Sequence, residues 1–226
     1  MEYGGEWYRK IEVSGKKGTY DDYYLHDGSK VENGRTYYLR YEPVKWITKE
    51  LKTGETLAIS EKTFGSVQYV GDLQEVRKKG DVTIANNDYR YSVMRSYIND
   101  INGREEFGSW GWDFSRSGGK GLGSLRFFLN EKERNILKPY DKCFGDKVFI
   151  PSKEECEEFL TEEQMKAEGT DDISVRKASE TTKTVSYATR TSGGGTDMVI
   201  CVNNQGEFFS HTADTSMSYR LAIRVK

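Results

Sequence analysis

The sequence predicts an α+β fold of small, twisted antiparallel sheets with two or three helices and long loops, and three observations carry that expectation. Within the last forty or so residues, four runs read as strands: 187–191, 197–202, 207–212 and 218–225. Two tyrosine-rich runs, 20–25 and 36–41, flank Asp27-Gly28 and Asn33-Gly34, residue pairs suited to the turns that join antiparallel strands. Helical spacing is confined to the middle of the chain, where Val93, Tyr97 and Ile101 recur at steps of four.

Taken in order, the tyrosine runs read as a hairpin with a long connection, with Tyr37, Leu39 and Tyr41 on one face. Pro43 ends regular pairing before Val44 and Trp46. A short strand follows at 56–60, with Leu57 and Ile59 on one side. Helices are expected at 91–101 and 131–137, and a strand at 146–150. A third helix starts at Pro151-Ser152, because Ser152 can cap it while Glu155 reaches back from the reciprocal position. That helix turns Cys156, Phe159 and Leu160 inward and a run of glutamates outward. Asn203-Asn204-Gln205-Gly206 is a tight connection. In the final run Tyr219, Leu221, Ile223 and Val225 alternate with Ser218, Arg220, Ala222 and Arg224, giving one buried and one wet face. No repeat of solenoid or propeller length occurs, so the expectation is one domain over 1–226, with an N-terminal arm at 1–19.

Two irregular segments interrupt this order. Residues 69–87 are polar, with Arg77-Lys78-Lys79 read as a solvated loop. Residues 103–124 hold seven glycines among Phe107, Trp110, Trp112 and Phe114. Loops of that length are uncommon in compact domains unless functional or disordered, and four aromatic rings argue against disorder.

Composition narrows the function classes. The chain has 226 residues, 35% hydrophobic and 31% charged, with a net charge of −2. That balance suits neither a membrane span nor a disordered tail, and it leaves no basic stripe for nucleic acid. The first residues lack the basic and apolar regions of a signal peptide, so the chain as given reads as soluble, and its compartment stays open between the cytoplasm and display on a surface or phage. Cys143, Cys156 and Cys201 are odd in number and form no Cys-x-x-Cys pair, and His26 and His211 are the only histidines. Buried or partly buried free thiols are expected, and neither a metal nor a cofactor.

Several phrases resemble a bacterial family of domains of unknown function. Tyr37-Tyr38-Leu39-Arg40-Tyr41-Glu42-Pro43-Val44-Lys45-Trp46, then Leu57-Ala58-Ile59-Ser60-Glu61-Lys62, is similar to that family's opening of a tyrosine pair, Glu-Pro-Ile-x-Trp and a strand ending in Leu-Ser-Glu. Ser92-Val93-Met94-Arg95-Ser96-Tyr97-Ile98-Asn99 resembles its Ser-x-Leu-Arg-x-Trp-Leu-Asn helix, and Asp146-Lys147-Val148-Phe149-Ile150-Pro151-Ser152 its Asp-Lys-Val-Phe-Leu-Leu-Ser. Tyr187-Ala188-Thr189-Arg190-Thr191 through Tyr219-Arg220-Leu221-Ala222-Ile223 resembles its closing strands, Trp-Leu-Arg-Ser through Gly-Val-Arg-Pro-Ala. The closing pattern is also similar to formylglycine-generating-enzyme-like domains, and this resemblance implies a C-type-lectin-like fold. The chain departs from the pattern at Ser218-Tyr219-Arg220-Leu221 and in residues 103–124, which look like an insertion.

No catalytic residue is expected. Formylglycine-generating enzymes use paired cysteines near the C-terminus, whereas Cys201 has no neighbouring partner; an oxidase would need it to act with Cys143 or Cys156 on copper or oxygen. Glu42-Pro43-Val44 lacks the third oxygen ligand of calcium-dependent lectins. Ser117-Gly118-Gly119-Lys120-Gly121 lacks the Ser or Thr that follows the lysine of a phosphate loop. His211 and Asp214 are close, but no nucleophile elbow accompanies them. What remains is recognition of a carbohydrate or protein ligand at a loop end. Its candidate residues are Trp110 and Trp112 as stacking rings, Asp113, Arg116 and Arg190 as polar groups beside them, and His211, Asp214 and Tyr219 at the closing strand ends. The same rings also suit packing beneath their own loop. A variable-display protein diversified by a retroelement is a further reading, since 203–204 and 210–219 are rich in residues reachable from asparagine codons.

Overall fold

The computed structural model describes residues 2–13, 23–24, 30–40, 44–71, 73, 77–99, 101, 129, 131–169, 176–177 and 184–225. Along the chain, β1 (Glu2–Tyr3) turns back into β2 (Glu6–Glu12), which pairs antiparallel with β4 (Thr36–Arg40). Between them in sequence, β3 (Tyr23–Tyr24) pairs with β11 (Arg176–Lys177). Among the described residues the two tyrosine runs therefore pair with other strands rather than with each other as the expected hairpin. Its connection is too long to impose a register, and β2 matches β4 across all five of the latter's residues. The arm expected at 1–19 thus contributes two strands of a three-stranded sheet.

A second hairpin joins β5 (Trp46–Glu50) to β6 (Thr56–Ser60), with Trp46 opposite Ser60 and Glu50 opposite Thr56. Pairing resumes sooner after Pro43 than the sequence suggests. All of Leu57, Ala58, Ile59 and Ser60 are buried, so β6 is covered on both faces. It is flanked by β5 and by β16 (Ala222–Val225), which in turn pairs with β10 (Val148–Phe149) in a four-stranded sheet. The larger sheet has five strands, in the order β14 (Phe208–Thr212), β13 (Met198–Val202), β12 (Tyr187–Ser192), β15 (Ser216–Tyr219) and β7 (Phe64–Gln68). Its pairings are antiparallel except that of β12 with β15. The described architecture is α+β with mostly antiparallel sheets.

The helices are short. Ser92 sits in extended backbone and caps α1 (Val93–Ile98), so the expected helix at 91–101 begins late and is preceded by a 3-10 turn at Tyr89–Tyr91. Val93, Met94, Arg95, Ser96 and Ile98 are all buried, which encloses α1 on nearly every side rather than along one stripe. Further on are α2 (Glu131–Ile136), α3 (Lys153–Phe159) and α4 (Glu162–Met165). Ser152 and Glu155 form the expected capping box on α3, and Thr161 with Gln164 forms a second one on α4. No described helix is long and apolar enough to cross a membrane.

Within 69–87 a small hairpin pairs β8 (Lys78–Lys79) with β9 (Val82–Thr83). The two lysines are exposed as expected, but Arg77 is 1% exposed and donates to the carbonyls of Asn86 and Tyr91. The basic run is therefore not one solvated loop, because a guanidinium carries enough donors to be buried against carbonyls.

The last strand also differs from the expectation. The run 218–225 breaks at Arg220 and Leu221, both fully buried, and passes from the five-stranded to the four-stranded sheet. Arg220 Nε donates to the Ser60 carbonyl at 2.7 Å, and Nη1 donates to the Gln164 carbonyl at 2.7 Å and the Tyr187 hydroxyl at 3.4 Å. The supposed wet face is closed because these acceptors replace water around the guanidinium. Leu221 and Ser60 exchange hydrogen bonds at the same point, Leu221 N to Ser60 Oγ and Ser60 N to the Leu221 carbonyl. Replacing Arg220 by Met would strand these buried acceptors. The expected outcome in a denaturant titration is a loss of about 3 kcal/mol or more.

Candidate functional site

The polar chemistry of the molecule is organised around α3. The capping-box geometry turns Glu155 inward: its Oε2 accepts from Ser152 N at 3.0 Å, while Ser152 Oγ accepts from Glu155 N at 3.2 Å. The same carboxylate pairs with both terminal nitrogens of Arg190 and accepts from the Tyr140 hydroxyl at 3.2 Å. Glu155 is thus buried, and the outward run of glutamates expected on α3 excludes it. Arg190 also donates to the Ile150 carbonyl at 2.8 Å, and its guanidinium lies 5.4 Å from the Phe149 ring centre. Burial, and after it the neighbouring Glu155 charge, pushes the Tyr140 phenol up to about 12. A second buried pair holds Arg95 Nε and Nη2 on the two Asp146 oxygens at 2.6 and 2.9 Å.

These contacts place the residues singled out in the sequence. Trp110, Trp112, Asp113 and Arg116, like the rest of 103–124, lie outside the described residues. Arg190 lies in β12 with its guanidinium engaged by Glu155. Tyr219, in β15, is 1% exposed, with its ring stacked on Phe64 at 6.3 Å and edge-on to Tyr97 at 6.4 Å. His211 is half-buried in β14, where its Nδ1 accepts from Thr212 N at 2.8 Å. Asp214 follows in the turn before β15, and its carbonyl accepts from Gln68 Nε2. Arg190 and Tyr219 therefore sit on neighbouring inner strands, whereas His211 lies on an outer one.

The sequence reading missed a depression of about 810 Å³ lined by Thr161, Glu162, Glu163, Lys166 and residues 205–207. One wall is the start of α4, set by the Thr161–Gln164 capping box; the other is the turn between β13 and β14. Asn203 Oδ1 fixes that turn by accepting from Gln205 N and Glu207 N, both at 2.9 Å. Gly206 has a φ of +87°, and a Cβ there would stand 3.1 Å from Met165 Cβ and 3.2 Å from the Glu162 carbonyl. Only glycine combines that backbone with so close an approach to α4. Along the exposed α4 side Lys166 Nζ meets Glu163 Oε2 at 2.8 Å. The Thr-x-x-Gln pattern at 161–164 was the available sequence signal, but it marks a helix start rather than a cleft.

Cys143, Cys156 and Cys201 are free and buried, and burial pushes each thiol up to about 12. A thiol held neutral in this way is a poor nucleophile and a poor metal ligand. Among the described residues no group of three His, Cys, Asp or Glu side chains converges as metal ligands.

No protein-family model matches the chain, and no curated protein or solved structure compared with it does so either.

Two outcomes follow from the buried groups. Glu155→Gln leaves the Arg190 charge enclosed without a counter-ion and is expected to cost about 3–5 kcal/mol in denaturant unfolding, whereas Glu154→Gln on the exposed side of α3 should cost less than about 1 kcal/mol. For the thiols, the folded pKa lies above the unfolded value of about 8.5, so the folded chain holds more protons through the interval. Their contribution is complete below about pH 8.5 and falls as pH rises towards 12, at up to about 4 kcal/mol per pH unit for three thiols. Thermal unfolding between pH 7 and 11 checks this slope, and a thiol reagent at pH 8 should label the chain only after denaturant is added.

Proposed function

We propose that the chain is a noncatalytic recognition module with a C-type-lectin-like fold, and that it seats a carbohydrate in the depression between α4 and the β13–β14 turn. The observation that carries this reading is the lining: three carboxylates, an ammonium, an amide and a hydroxyl on two closely packed walls. Its volume falls within the range of about 300–1,000 Å³ usual for small-ligand sites. Carboxylates and amides accept from sugar hydroxyls, while an ammonium donates to them, so a ring rich in hydroxyls can be held from several sides. Three acids against one base disfavour an anionic ligand. Away from this seat, the buried arginines of the interior are engaged by carboxylates and carbonyls, and burial raises the pKa of the three thiols. The likeness of the closing strands to formylglycine-generating-enzyme-like domains supports the fold but not their oxidase chemistry, for which Cys201 would have to ionise.

The test is a glycan array followed by calorimetric titration of the best ligand. A saturable glycan is expected to bind, with Glu163→Ala and Lys166→Ala each weakening it about tenfold or more while the thermal midpoint stays within a few degrees. A blank array, or binding indifferent to both substitutions, would remove this seat from consideration.

A further inference from the structure

Among the described residues β14 is the outermost strand of the five-stranded sheet, and its outer edge is only partly closed. Asn203 N donates to the Glu207 carbonyl, and Ala213 N donates to the Asp197 carbonyl. The register places Cys201 opposite Phe209 and Val199 opposite His211, which continues the same alternation. In an antiparallel ladder directly opposed residues alternate between bonded and non-bonded pairs. Phe209 and His211 therefore point their main-chain groups inward to β13, and Phe208, Ser210 and Thr212 point theirs outward. Thr212 is closed off, since its N–H donates to His211 Nδ1 and its carbonyl accepts from Thr215 N. The N–H and C=O of Phe208 and Ser210 remain along the edge, and Ser210 is exposed.

Two other sheet edges, those of β5 and β7, are protected. β5 displays exposed charges, and Lys49 reaches across to the Glu158 carbonyl. Continuing past β7, the Tyr69 carbonyl, which points away from β15, accepts from Val93 N at the start of α1 at 2.9 Å. Charged side chains and capped ends are the usual protection of strand edges. β14 has neither at Phe208 and Ser210.

We propose that this edge pairs with a second copy of the chain, β14 against β14 about a twofold axis at Phe209. That axis sets Phe208 opposite Ser210 of the second copy and Ser210 opposite its Phe208. The two bonded pairs exchange two hydrogen bonds each, four in all. Two aspects of the sequence make the register self-complementary. Phe209 meets Phe209 of the second copy, and Glu207 meets its His211, all on one face at non-bonded positions where side chains approach most closely. His211 accepts at Nδ1 from Thr212 N, so the ring proton lies on Nε2 and is free to be donated to the opposing carboxylate. Glu207 is exposed, and with one oxygen on Asn203 Nδ2 at 3.1 Å it keeps acceptor capacity for that proton. Phe209 and His211 are half-buried and packed edge to face at 5.8 Å; the second copy would cover the side they leave open. The result is a continuous ten-stranded sheet. The proposal does not rest on a ligand in the depression.

Sedimentation equilibrium on the full chain, from about 1 to about 300 μM, with amide exchange at both ends of that range, reads the association. Mass should rise towards that of a dimer while the Phe208 and Ser210 amides gain protection. Ser210→Pro removes an outward N–H without touching the ladder to β13, and it should abolish dimerisation with the thermal midpoint of the dilute protein unchanged. If that variant does not fold, charge exchange decides. His211→Glu should weaken association about tenfold or more by opposing two carboxylates, and adding Glu207→Lys should restore it. A chain that stays monomeric throughout overturns the proposal. So does a dimer in which the charge-exchange pair has no effect, or one that leaves the two amides unprotected.

Discussion

The crossing of the chain from the larger sheet to the smaller turns on one buried guanidinium. Arg220 lies where the chain leaves β15 and enters β16, and it donates to main-chain carbonyls from two separate segments, Ser60 at the end of β6 and Gln164 in α4, as well as to the Tyr187 hydroxyl. A chain that changes sheets must break its ladder, and the break exposes main-chain acceptors that water cannot reach. An aliphatic side chain would leave them unsatisfied. A lysine has donors on a single nitrogen, whereas the planar fork of arginine spans acceptors on opposite sides. The Ser60–Leu221 exchange closes the remaining groups at the same crossing.

Glu155 applies the same economy to a helix. Its carboxylate completes the α3 cap, neutralises Arg190 in β12 and takes the Tyr140 hydroxyl. One side chain thereby fixes the start of a helix relative to a strand and to the segment leading into β10. Ion pairs this enclosed add little net stability compared with apolar packing, but either partner alone is strongly unfavourable, so the arrangement is enforced as a unit. Arg95 with Asp146 repeats the device between α1 and the approach to β10. Arg190 and Arg95 are thus held by carboxylates in the interior, where they fix the placement of α3 and α1.

The sequence made strand existence legible and strand boundaries much less so. Runs such as 197–202 and 207–212 survive as β13 and β14 because their apolar content and turn residues agree. The run 218–225 departs from its alternation because the pattern cannot distinguish an arginine facing water from one enclosed by carbonyls supplied from residues 60 and 164. The tyrosine runs failed for a related reason: propensity names a strand but not its partner, and β2 lay in a stretch with no turn signal of its own beyond Gly4-Gly5. At the candidate site, Arg190 and Tyr219 were recognisable as residue types able to hold a ligand. Their burial depends on Glu155 and on Phe64 and Tyr97, contacts between distant segments that no local pattern reveals. The depression was illegible for the same reason, since its walls come from residues forty positions apart in sequence.

The β13–β14 turn lies between the proposed seat and the proposed pairing edge. Asn203 closes the turn with its own side chain, accepting from Gln205 N and Glu207 N and donating to the Glu207 carboxylate. Gly206 lets the turn lie against α4. Glu207 lines the depression and directly precedes Phe208, the first residue of β14. A carboxylate at this junction therefore answers to two neighbours. Drawn towards His211 of a second copy it would withdraw an acceptor from the depression, and drawn into the depression it would weaken the pairing of edges. Such competition for one side chain is enough to couple two sites without any change of fold, because each contact removes part of the other's free energy.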